Sequence, residues 1–154
     1  MRSWNLDGRC RCGQVRIGVT APPLLTMACH CTGCQRMSAS AFSLSAAFPA
    51  PNFSVTRGEP VIGGIHGPDA HHHCCPHCKS WMFTRPEGID HFVNVRPTML
   101  EDASWVAPFI ETYTQVRLPG AATAAKHSYE TFPPFEEFAK LMEEFAKEGA
   151  RPSR

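Results

Sequence analysis

The sequence predicts a mainly β domain closed by one C-terminal helix, and three observations carry that expectation. Apolar residues alternate with a period of two through the first two thirds of the chain. The alternating runs are short and bounded by Gly, Pro and Asn. A stripe of helical spacing comes only near the end. With 154 residues, 43% of them apolar, the chain suffices for one domain with a real core.

Taken in order, Val15, Ile17 and Val19 fall on one face of a strand that stops before Ala21-Pro22-Pro23. Phe42, Leu44, Ala46 and Phe48 repeat the pattern ahead of Pro49-Ala50-Pro51-Asn52. Residues 53–56, 61–65, 71–74, 81–84 and 92–95 bring the expected total to about seven strands. The alanine-rich run after Gly120 reads as a loop. Pro133-Pro134 can open a helix, because proline lacks only the donor that the first turn cannot use. Phe135, Phe138, Leu141, Met142 and Phe145 then share a face, Glu136 and Glu137 sit at the positive end, and Gly149 supplies a stop. That stripe is expected to dock on the sheet, a homodimer interface being the alternative. The expected domain covers residues 5–135, and the helix, residues 133–149, packs on it.

A net charge of +1 with no basic stripe excludes nucleic acid as partner, since nothing is arrayed to release counterions from phosphates. No apolar run approaches the roughly 18 residues of a membrane span. Residues 1–7 hold one arginine and no apolar run, so no export signal is expected there. The expected setting is cytoplasmic and reducing, where multiple cysteines bind metal rather than cross-link.

The eight cysteines fall into three knots: Cys10-Arg11-Cys12, Cys29-His30-Cys31-Thr32-Gly33-Cys34 and Cys74-Cys75-Pro76-His77-Cys78. Two close pairs on tight turns, Cys10 with Cys12 and Cys75 with Cys78, suit a closed tetrahedral zinc site that would staple the first strand to the middle of the sheet. Gly13 can take the positive φ of the first turn. Cys29, Cys31 and Cys34 give three thiolates with no adjacent fourth. Spacing leaves two readings open: a catalytic zinc with an exchangeable position, or a structural site completed by His66, His71 or His73. Cys75-Pro76-His77-Cys78 also matches a dithiol redox tetrad, but that chemistry wants a helix after the first cysteine, and the sequence leaves little room for one. Cys74 reads as a small buried hydrophobe. His30 is either a group that moves a substrate proton or a solvent-facing spacer. Arg36, Arg57, Lys79 and Arg96 are candidates for a carboxylate.

The run Gly8-Arg9-Cys10-Arg11-Cys12-Gly13-Gln14-Val15-Arg16, then Cys29-His30-Cys31-Thr32-Gly33-Cys34-Gln35-Arg36, then Cys75-Pro76-His77-Cys78, resembles the glutathione-dependent formaldehyde-activating enzyme family with its centromere protein V relatives. The resemblance implies a β-tent fold similar to methionine sulfoxide reductase B and the Rab-exchange zinc proteins. It also implies a structural zinc on Cys10, Cys12, Cys75 and Cys78 and a catalytic zinc on Cys29, Cys31 and Cys34. The chain departs from the family pattern at Cys74 and Lys79, where an aromatic residue and a glycine are usual. It departs again at Arg96-Pro97-Thr98-Met99, in place of a glycine, and at Glu111, where histidine is common.

The expected function is therefore a zinc-dependent carbon–sulfur lyase that forms or cleaves a thiol–aldehyde adduct, typically S-hydroxymethylglutathione. Glutathione is the co-substrate, His30 the residue that moves the hydroxyl proton, and Arg36 the holder of a carboxylate. The rival is a non-catalytic zinc module that binds a protein partner.

Overall fold

A computed structural model describes residues 4–65 and 68–153; His66, one candidate fourth ligand, lies outside them. The strands are β1 (Leu6–Arg9), β2 (Arg16–Val19), β3 (Leu25–Cys29), β4 (Ser43–Pro49), β5 (Phe53–Arg57), β6 (Val61–Gly63), β7 (Ala70–Cys74), β8 (Trp81–Pro86), β9 (Phe92–Val95), β10 (Ile110–Thr112) and β11 (His127–Ser128). Two α-helices accompany them among the described residues, α1 (Thr32–Ser38) and α2 (Phe138–Glu148). A small sheet runs β1-β2-β5 and a large one runs β11-β10-β3-β4-β9-β8-β7-β6. All pairings are antiparallel except β10 with its two neighbours, β3 and β11.

Strand alternation builds the layers. Val19, Ile17 and Phe53 of the small sheet meet Ala46, Phe48, Phe83, Val93 and Val95 of the large one in the main core. The other face of the large sheet presents Leu25 and Ile110 to Leu141 and Phe145 of α2, with Phe109 completing a second cluster. The helical stripe docks on the sheet as expected, because its apolar face finds a matching apolar end. Phe135 is the exception: it belongs to a short turn before α2 and is 82% exposed. β4 is covered on both sides, so Ser43 and Ser45 are buried along with Ala46 and Phe48, which simple alternation did not anticipate.

The sequence reading missed β1, β3, β10, β11 and α1. β1, β10 and β11 are four residues or fewer, too short to show a period, and the two polar residues of β11 gain strand geometry only by pairing with β10. The expected strand over residues 61–65 stops at Gly63, and Ile65 is 88% exposed.

Candidate metal centres

All eight cysteines are unbridged thiols, which removes the disulfide framework. They separate into the two groups that spacing anticipated. The Cys10, Cys12, Cys75 and Cys78 sulfurs lie within 4.8 Å of one another, and so do those of Cys29, Cys31 and Cys34.

The quartet is made by two facing knuckles. In the first, the Gly13 amide donates to Cys10 O at 3.1 Å with Gly13 at φ 80, and the Val15 amide donates to Cys10 Sγ at 3.4 Å. In the second, the His77 and Cys78 amides point at Cys75 Sγ at 3.4 and 3.5 Å. Amides aimed at sulfur favour the thiolate and orient it for a metal. Cys12 Sγ stands 3.6 Å from Cys10 Sγ and 3.7 Å from Cys75 Sγ. A tetrahedron with zinc–sulfur bonds of about 2.3 Å has edges of about 3.8 Å, so the quartet fits zinc. The knuckles join the small sheet to the β7–β8 turn, near one end of the large sheet rather than its middle. Lys79 closes the second knuckle at φ 63, a conformation glycine adopts without strain, which is the physical content of that departure from the family pattern. No helix follows Cys75, so the redox tetrad lacks the dipole it needs. Cys74 is buried, its sulfur filling the space a side chain at Gly63 would occupy, and burial raises its pKa.

The trio is set by a strand end and a short helix. Cys29 is the last residue of β3, Cys31 caps α1 by accepting the Cys34 amide at 3.3 Å, and Cys34 lies within that helix. The Gln35 side chain staples this turn by donating to His30 O at 2.7 Å and Val116 O at 3.1 Å. Among the described residues no histidine, cysteine or carboxylate joins these three sulfurs. The Cys34 thiol beside it is the main influence that holds Cys29 down to about 5, against the opposing pull of burial, and Thr112 assists. The Cys29 charge in turn pushes Cys34 up. Thr112 is opposite Cys29 in the parallel ladder, which sets its buried hydroxyl beside that sulfur.

His30 is fully buried, so the solvent-facing spacer is overturned. Its ring packs edge-on against Phe42 and its Nε2 is 3.5 Å from Glu111 Oε1. Glu111 accepts from Arg117 at 3.0 Å and from Thr123, while neither ring nitrogen of His30 makes a hydrogen bond. Sequence reading noted Glu111 only as a departure; a lone acid in an apolar run was the available signal. His71 meets Glu87, His72 Nδ1 meets Thr84 Oγ1 at 2.9 Å, and His73 stacks on Phe83, so none of the three enters either sulfur group. Arg36 is exposed in the last turn of α1. A cleft of about 340 Å³ lined by Arg9, Thr98 and Glu101 opens on the quartet side, away from the trio.

The model of the family described as glutathione-dependent formaldehyde-activating enzyme matches residues 5–116. The chain belongs to this family. Membership in the formaldehyde-activating enzymes supports formaldehyde activation or a related function, and both cysteine groups fit zinc binding. No curated protein matches the chain. In fold it is similar to the crystal structure of a Rhodobacter sphaeroides protein, with 22% identity and a TM-score of 0.51 over 63% of this chain and 89% of that one. Among the described residues no helix is long and apolar enough to cross a membrane.

Proposed function

We propose that the chain is a zinc-dependent carbon–sulfur lyase that forms or cleaves a thiol–aldehyde adduct, S-hydroxymethylglutathione being the typical one. The observation that carries this reading is the contrast between a four-sulfur group that closes on itself and a three-sulfur group with no fourth ligating side chain among the described residues. In this reading Cys10, Cys12, Cys75 and Cys78 hold a structural zinc, and Cys29, Cys31 and Cys34 hold a second. Zinc in the trio supplies Lewis acidity, lowering the pKa of a substrate thiol or polarising an oxygen.

In the forming direction the substrate sulfur attacks the aldehyde carbon. The carbon–sulfur bond forms, the carbonyl π pair moves to oxygen, and the proton the thiol has lost ends on that oxygen; cleavage is the reverse. The protein residues prepare this step. The Cys31 sulfur fixes the start of α1, and the Thr112 and Ser43 hydroxyls favour the thiolate forms of Cys29 and Cys34. His30 enters as a positioning residue, because its amide bonds to Thr112 O at 3.0 Å and its ring faces Glu111, so it sets the directions of the sulfurs on either side. Arg36 remains exposed beyond the trio, where an outlying substrate carboxylate can reach it.

The test is exchange spectroscopy of formaldehyde and glutathione with zinc-loaded protein. The proposal expects faster adduct formation and loss than in protein-free buffer, and a rate equal to the spontaneous one across a range of thiols and aldehydes would discard it.

A further inference from the structure

Arg96 follows β9 directly and stays in the ladder by donating its amide to Met82 O at 2.8 Å. Its guanidinium lies flat over Trp81, 3.8 Å from the ring centroid, and its Nη1 donates to Leu44 O at 2.9 Å. Trp81 is itself fixed, its indole N–H donating to Thr84 Oγ1 at 3.0 Å and its ring meeting the edge of His72. The Arg96 Nε is buried with no hydrogen-bond partner, and no carboxylate of the described residues pairs with this cation.

A guanidinium has five donors, and a desolvated one without a counter-charge is costly to keep. The Leu44 carbonyl and the Trp81 ring meet only part of that demand. The Leu44 contact sets the guanidinium one residue along β4 from Ser43, beside the strand end that carries Cys29. Register puts Cys29 and Ser43 opposite each other on neighbouring strands, and the buried Ser43, Ser45 and Thr84 hydroxyls contribute polar groups where an all-apolar core would have none. The other cations named from sequence differ in setting: Arg36, two residues past Cys34, and Arg57 are exposed, and Lys79 turns its Nζ to Pro76 O.

We infer that Arg96, held against Trp81, is the specificity-determining residue of the trio's substrate site and selects thiols that carry a carboxylate close to the sulfur. The inference rests on the reading of the trio as a thiol-binding centre. A planar fork matches a carboxylate with two parallel hydrogen bonds, and the Trp81 face removes the rotational freedom that an arginine would lose on binding.

Titration calorimetry of zinc-loaded protein with 3-mercaptopropionate and with its methyl ester isolates the charge while keeping the sulfur. Wild type is expected to bind the acid at least about tenfold tighter than the ester. In Arg96→Met the ratio falls to about one, and Arg96→Lys, which keeps the charge but not the fork, lies between. Equal binding of acid and ester by wild type, or an unchanged ratio in Arg96→Met, overturns the assignment while leaving the lyase reading intact. Binding of neither thiol removes the thiol-binding centre itself, and both readings with it. The wild-type comparison needs no variant, so poor folding of Arg96→Met does not remove the test.

Discussion

His30 Nε2 and Glu111 Oε1 stand 3.5 Å apart inside the protein, and neither side chain reaches solvent to any useful extent. That pair ties the turn between two trio cysteines to β10, and Glu111 is anchored in turn by Arg117 and Thr123. Glu111→Ala would strand two hydrogen-bonding partners, Arg117 and Thr123, and remove the carboxylate that faces His30. We expect a loss of about 2 kcal/mol, below the full cost of breaking a buried pair because Arg117 is 41% exposed and water can recover it. Glu111→Gln keeps the shape and should lose less. Urea unfolding measures both, and an alanine variant as stable as wild type would show that the network is not structural.

Metal content should divide the cysteines by consequence. Wild type is expected to carry two zinc ions per chain. Cys10→Ser removes a clasp whose metal contributes on the order of 10 kcal/mol to small zinc domains, and should leave a largely unfolded chain. Cys31→Ser should lose one zinc ion and keep the β circular dichroism spectrum. Elemental analysis with circular dichroism checks this, and equal damage from the two substitutions would refute the division of roles.

With the trio emptied by a mild chelator and the quartet kept, iodoacetamide should discriminate between neighbouring thiols. Cys29 is held down to about 5 from an ordinary 9.0, so it is thiolate throughout the neutral range and loses that form only as pH falls through about 5. Cys34 is shifted the other way and keeps its proton. Peptide mapping after labelling at pH 6.5 should find Cys29 modified first, its rate flat above pH 6 and declining in more acidic buffer. Faster labelling of Cys34 would contradict the order.

Phe145 is fully buried and meets Phe109 edge-on at 5.5 Å between Leu25, Ile110 and Leu141. Phe145→Ala should cost about 3 kcal/mol through lost transfer energy and a cavity. Phe135→Ala, at an 82% exposed position, should change stability by less than about 0.5 kcal/mol. Thermal melts of the two variants compare an aromatic ring that docks with one that does not.

Legibility from sequence followed the range of the interactions involved. Residues 15–19 and 92–95 announced strands because one face is buried and the other is not, and the cysteine knots announced two sulfur groups because ligand spacing is local. β10 was invisible, since its three residues are all buried and lack any alternation. His30 could not be placed, because its buried setting beside Glu111 is made by a parallel pairing of β3 with a strand far along the chain. Arg96 was one charge among four until the sheet put it over Trp81.

The two knuckles that hold the quartet come before and after the trio in the chain, so a metal there would close a loop from Cys10 to Cys78 with the three reactive sulfurs inside it. Cys12 is the exposed corner of that clasp. An oxidant that took Cys12 would open that clasp and release the segment bearing Cys29, Cys31 and Cys34 along with it.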